Sequence, residues 1–445
     1  MTHVEVRERV REGQPLALLA GLAAVIGYVS VHSLRGALLL PLLPLALLLL
    51  LRPVVAVATG VALLPILRSV VGSEGGAAVV SPADMVFVLA FAGLSSLLLL
   101  DETWRKRLTV VKPALLFATP YVAWLLVVLA AHPSGHTAFK TMTAVEITVL
   151  PILLGAVAVN RQTAPWALYG FLFSAGFLAI LWAGQLGTAF AGNKNAAGQY
   201  LALAILLTIV LSKGRPHYLI PLPLYVVGLL YAASRGAMVA AIFGAIALLA
   251  LRGLGSWRRT VAATTVLTLV VLVGYNTVPV SLQAKITAAF SQAGDAAPAP
   301  DAPGVVGQTA VERSTSYNLM IRKAYRKDGL HLIEAHPLLG VGTGNYDTGV
   351  GPTRTIDPHN VLIRVAGEGG VPELVTFLFF LGGTGLLMLR RLGRNTWAGP
   401  AIAIQIAAFT HGLVDVYFVR GVPVLGWLLV GMALNPEFDR QRDPV

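Results

Sequence analysis

The sequence predicts an all-α polytopic membrane protein, a bundle of about 12–14 transmembrane helices with one long extracytoplasmic loop. Three observations predict it. Hydrophobic residues make up 56% of the 445 and charged residues only 12%, against about 25% charged in an ordinary soluble domain. Apolar runs near the ~20 residues that cross a hydrocarbon core recur along the chain. The basic residues gather in alternate connections between those runs, as cytoplasmic loops do.

Taken in order, apolar segments occupy residues 15–31, 36–51, 53–71, 82–100, 113–131, 140–159, 165–186, 195–211, 217–233, 236–251 and 260–278. Three more follow at 371–389, 398–418 and 422–434. Residues 36–51 and 53–71 are parted only at Arg52 and Pro53, so two crossings and one broken or re-entrant pair are both open. Arg7, Arg9 and Arg11 put the N-terminus in the cytoplasm, and the alternation then holds. Arg105, Lys106, Arg107 and Lys112 fall inside, with Arg161, Lys213, Arg215, Arg252, Arg258, Arg259, Arg390, Arg391 and Arg394. The opposite loops at 72–81, 131–137 and 187–192 are poor in basic residues. The division is therefore a membrane bundle at 1–278, an extracytoplasmic region at 279–360 and C-terminal membrane segments at 361–445.

Within the external region, 281–290 spaces Leu282, Ile286 and Phe290 four apart, the pattern of a short amphipathic helix. Residues 293–307, rich in Ala, Pro, Gly and Asp, read as a linker. Residues 314–335 predict a second helix. Tyr317, Met320, Ile321, Ala324 and Tyr325 share one face, and Arg322, Lys323, Arg326 and Lys327 line others. Such a helix suits a membrane surface or the lid of a cavity.

Composition narrows the chemistry. There are no cysteines, which excludes disulfides, thiolate metal sites and cysteine nucleophiles. The histidines show no metal-ligand spacing, and neither metal nor cofactor is expected. The net charge of +12 follows from cytoplasmic loops, so no nucleic-acid partner is expected and membrane lipids are.

On an external face with few cations, the exceptions carry information. Arg235 stands at an outer mouth in Ala233-Ser234-Arg235-Gly236. Lys194 and Asn195 stand at another, Arg313 opens the external helix, and His359 with Asn360 lies where the chain re-enters the membrane. Guanidinium groups bind phosphate oxygens through paired hydrogen bonds, and an imidazole can take a proton from a hydroxyl nucleophile. Cations beside a general base suit attack on a sugar linked to a diphosphate. Plainer structural readings stand beside these: headgroup snorkelling for Arg235, solvated charges for Lys194 and Arg313, loop termination for His359. Gly340, Gly342 and Gly344 predict a tight turn with positive φ rather than a dinucleotide site. Arg364 and Glu368, four apart, predict an ion pair, and His411 with Asp415 form a second helix-spaced pair.

These motifs together resemble the O-antigen ligase and polymerase family. The resemblance runs from Asn193-Lys194-Asn195 and Ser234-Arg235-Gly236 through Arg313, His336-Pro337-Leu338-Leu339-Gly340-Val341-Gly342 and Asp357-Pro358-His359-Asn360. It continues to Glu368-Gly369-Gly370 and His411-Gly412-Leu413-Val414-Asp415. It implies a fold of the glycosyltransferase C type in a bacterial cytoplasmic membrane. It implies a metal-independent, inverting transfer from an undecaprenyl-diphosphate-linked glycan to an acceptor on a glycan or lipid, at the extracytoplasmic face. By residue match, Arg235 and Arg313 would grip the diphosphate and His359 would activate the hydroxyl. Lys194, Asn195 and Asn360 would assist binding. The insertion at 293–307 departs from the family pattern. Ligases and polymerases share these motifs. A solute transporter is one alternative, but neither midplane charges nor inverted repeats stand out; a non-enzymatic scaffold in an envelope-assembly complex is another, and it leaves the placement of Arg235, Arg313 and His359 unexplained.

Overall fold

A computed structural model describes residues 43–66, 81–184, 194–212, 215–252, 310–348, 357–415 and 423–440. The expected segments at 15–31 and 260–278, the short helix at 281–290 and the linker at 293–307 lie outside the described residues. The described residues are helical throughout, with no strand beyond an isolated bridge between Asn395 and Asp439. The helices are α1 Leu43–Leu51, α2 Pro53–Leu63, α3 Pro82–Leu100, α4 Glu102–Ala131, α5 Gly135–Val157, α6 Ala164–Ala183 and α7 Lys194–Leu211. Then come α8 Leu222–Ala232, α9 Arg235–Arg252, α10 Ala310–Ala335, α11 Val361–Arg391, α12 Ala398–Val414 and α13 Val424–Leu434.

Six of these helices are long and apolar enough to cross a membrane. α1 and α2 are bent by 118° at Arg52, the geometry of a broken span or a re-entrant loop in the described part of this region. α9, α12 and α13 are shorter apolar helices. The outer surface is built for lipid: Phe173 is 81% exposed, Leu99 79% and Trp166 73%. In water so much bare apolar surface would drive association. In hydrocarbon it costs nothing, and a helix meets most of its backbone polar groups within itself.

Two helices form the centre. Every residue of α13 is buried, and α7 is buried from Ala196 to Ile209. α13 is apolar all round and α7 nearly so, with Gln199 and Thr208 as its buried polar side chains, which is the pattern of a helix surrounded by other helices. Their ends are tied by polar groups: Asn435 donates to the Val159 carbonyl at 2.9 Å. Near the same end, Arg391 meets Asp439 and Arg107 meets Glu437. That end carries Arg105, Lys106, Arg161, Arg391 and Arg394. The opposite end carries the starts of α7, α9 and α11 and the end of α12.

α11 is two half-helices. Gly370 breaks it with φ 78° and ψ 177°, a backbone region open essentially to glycine alone. Pro372 has no N–H to meet the Glu368 carbonyl four residues back. The Gly342 N–H meets it instead at 2.8 Å, and Val341 N–H meets Gly367 O at 3.1 Å. Val371 N–H turns to Pro337 O at 2.8 Å, and the Trp124 indole donates to Gly369 O at 2.8 Å. The predicted glycine turn thus has its physical purpose. Gly340, Gly342 and Gly344 all have positive φ, which folds residues 337–344 so that their N–H groups satisfy a broken helix.

Candidate active site

The break and its clasp fix the first half of α11, and the residues before it follow. Asn360 caps the helix by accepting from Leu362 N–H at 3.0 Å and Ile363 N–H at 3.1 Å. Its amide nitrogen donates to Leu413 O at 3.0 Å, which ties this corner to the end of α12. Asn360 was expected to assist substrate; its side chain is engaged within the fold at both ends.

His359 has φ 50°. A left-handed conformation costs a residue with a Cβ about 1–2 kcal/mol, so the surroundings must hold it. Its N–H donates to Asp357 Oδ1 at 2.7 Å, the turn that Asp side chains make with the backbone two residues on. Its carbonyl accepts from Arg326 Nη2 at 3.4 Å. Its ring Nδ1 lies 3.2 Å from Asp415 Oδ1. An ionised carboxylate only accepts, so Nδ1 carries the proton and Nε2 is left as the basic nitrogen.

Asp415 is almost wholly buried, with its side chain 4% exposed, while the His359 side chain is 23% exposed. The second oxygen of Asp415 accepts from Arg322 Nη2 at 3.2 Å. Arg322 also donates to the Val414 carbonyl at 2.9 Å. Arg322 and Arg326 are one turn apart on α10 and therefore share a face. Burial first, and then the charge of Arg322, pull the Arg326 guanidinium below the ordinary arginine range, with Asp415 opposing. Arg235 opens α9 and interacts electrostatically with both Arg322 and Asp415. Gly236 makes that approach possible. A Cβ there would lie 2.9 Å from Val414 Cγ2 and 3.2 Å from His411 Cδ2, so a side chain would push α9 away from the end of α12.

Of the expected site residues, Arg235 and His359 converge. Lys194 and Asn195 start α7 at the same end, since a Cβ on Gly198 would fall 2.5 Å from the Ser234 Cβ. Arg313 lies in α10, but its side chain is outside the described residues. Arg322, Arg326 and the ion-paired Asp415 complete the cluster. Sequence reading treated the first two as the polar face of a surface helix. Arg364 and Glu368 do pair, at 2.8 Å, and Arg364 also binds Asp357 Oδ2 at 2.6 Å.

The arrangement couples an imidazole with one basic nitrogen, through Asp415, to the Arg322 guanidinium, with Arg326 on the His359 carbonyl and Arg235 within electrostatic reach. No curated protein matches the chain. Residues 220–378, which carry Arg235, Arg322, Arg326 and His359, match the family model described as O-antigen ligase.

Proposed function

We propose that the protein is an extracytoplasmic glycosyltransferase that moves a glycan from undecaprenyl diphosphate to an acceptor hydroxyl. The observation that carries this reading is His359 held by Asp415 while Arg322 binds the same carboxylate and Arg326 and Arg235 feel its charge. Three guanidiniums and one carboxylate leave an excess of two positive charges among these four side chains. A diphosphate esterified at both ends carries the matching charge, and Arg provides the planar fork that grips phosphate oxygens.

The chemistry follows. The acceptor hydroxyl attacks the anomeric carbon and passes its proton to His359 Nε2. The bond from that carbon to the diphosphate oxygen breaks, and undecaprenyl diphosphate leaves with the bonding pair. The arginines stabilise the charge that develops on the leaving oxygen, so the step needs no metal. One displacement inverts the anomeric centre. Asp415 stabilises the imidazolium that forms and keeps the ring in the productive tautomer.

The test is transfer by the reconstituted protein from purified lipid-linked glycan. His359→Ala is expected to cut turnover by about 10²–10⁴-fold, the usual worth of a positioned base, with donor binding little changed. Normal turnover by that variant would discard the general-base role. The glycan profile of a deletion strain separates the acceptor classes. Accumulated lipid-linked polymer marks a ligase, and accumulated lipid-linked single repeat units mark a polymerase that joins them.

A further inference from the structure

His359 works in the proposed reaction only if its backbone stays in the left-handed conformation that aims the ring at Asp415. Asp415 orients the ring, but it does not hold the backbone. That task falls chiefly to Asp357, whose Oδ1 accepts the His359 N–H at 2.7 Å, while Arg326 makes the longer contact of 3.4 Å to the His359 carbonyl. Asp357 is itself held. Its Oδ2 takes Arg364 Nη1 at 2.6 Å, and Arg364 Nε takes Glu368 Oε1 at 2.8 Å. All three of these side chains are buried.

The chain of contacts has a direction. Glu368 is fixed because its backbone carbonyl accepts the Gly342 N–H at the helix break. Arg364 lies one turn before Glu368 on the first half of α11 and uses the two sides of its guanidinium on two carboxylates. An ammonium group would offer one point charge where a fork is needed. A buried carboxylate without its cation is costly, so Asp357 without Arg364 would turn toward water and release the His359 N–H.

We propose that Arg364 is a positioning residue for His359: it clamps Asp357, and Asp357 holds the base in its strained backbone conformation. This rests on the reading of His359 as the general base. Arg364 acts on the reaction through Asp357 and His359, so its loss should appear in turnover and not in donor affinity.

The experiment uses the full-length reconstituted protein, purified undecaprenyl-diphosphate-linked glycan and an acceptor. Arg364→Gln is expected to lower kcat by about tenfold or more, with donor KM unchanged and with faster amide hydrogen exchange at residues 357–360. Arg364→Lys should recover part of the loss. In a His359→Ala background, with slow residual transfer read from accumulated product, Arg364→Gln should cost nothing further, because the two act as one unit. A wild-type kcat for Arg364→Gln overturns the proposal, as does a loss that multiplies in the His359→Ala background. Should Arg364→Gln fail to fold, Asp357→Ala removes the acceptor of the His359 N–H directly and is read against His359→Ala in the same way. Normal turnover by His359→Ala alone would instead remove the functional reading beneath the proposal, so the two failures are distinct.

Discussion

Arg313 and Arg322 sit nine residues apart on α10, about 13 Å along its axis at 1.5 Å per residue. The family resemblance implies the first as the diphosphate grip, and the fold brings the second to Asp415. Arg322→Ala is expected to abolish transfer while the protein stays folded, and Arg322→Lys to recover only part of it, since an ammonium lacks the bidentate fork. Arg235→Ala should behave alike. Arg313→Ala measured beside them decides which turn of α10 grips the donor: full loss with Arg313 and normal donor affinity without Arg322 would return the role to the earlier turn. Asp415 gives a second prediction at this scale. Asp415→Asn keeps the shape but replaces one acceptor oxygen with a donor, which favours the wrong imidazole tautomer. Turnover should fall by about 10²-fold or more with donor KM nearly constant. A variant that loses affinity and keeps kcat would assign Asp415 to the arginines rather than to His359. Nothing local could have shown this pairing, because Arg322 and Asp415 are 93 residues apart in the chain.

The broken helix α11 is the element on which the site depends. Its first half carries Asn360 as cap and Arg364 as clamp, and its direction is set by the break at Gly370. A Cβ at that position would fall 2.1 Å from the Leu338 carbonyl oxygen, on a backbone with φ 78°. Gly370→Ala should therefore cost about 1–3 kcal/mol in backbone strain alone, with the clash in addition. The expected outcome is a clear fall in the apparent Tm of the purified protein and loss of transfer. An unchanged Tm would mean that the break tolerates a side chain and does not fix the site. Trp124→Phe is a milder probe. It removes the indole N–H that meets Gly369 O, at a cost of about 1 kcal/mol. The sequence showed the ingredients here: three spaced glycines predicted positive φ, and Arg364 with Glu368 predicted an ion pair. It did not show that the glycine turn serves the broken helix, because the hydrogen bonds that join them run between backbone groups and leave no pattern in side-chain type.

Across the whole molecule, the two ends of the bundle differ in charge. One carries Arg105, Lys106, Arg107, Arg161, Arg391 and Arg394, and the other carries the cluster around Asp415. By the positive-inside rule we propose that the first end faces the cytoplasm. A tag inserted at 293–307 should then be labelled from outside intact right-side-out cells, and tags at either terminus should not. Labelling of a terminus would invert the bundle and put the site in the cytoplasm, where the proposed reaction would need a different donor. The sequence by itself determined the solvent and the class of fold, because hydropathy and basic-residue placement act over whole segments and survive any detail of packing. It determined Arg235 and His359 as candidates, because charge is rare on that face. Only the tertiary structure decided that Arg322 and Arg326 join them, that Asp415 meets the His359 ring, and that Arg364 reaches Asp357. Those choices depend on which helices approach at one end of the bundle. Close approach is set by small residues such as Gly198 and Gly236 and by the bend at Gly370, whose effect appears only when the helices are packed.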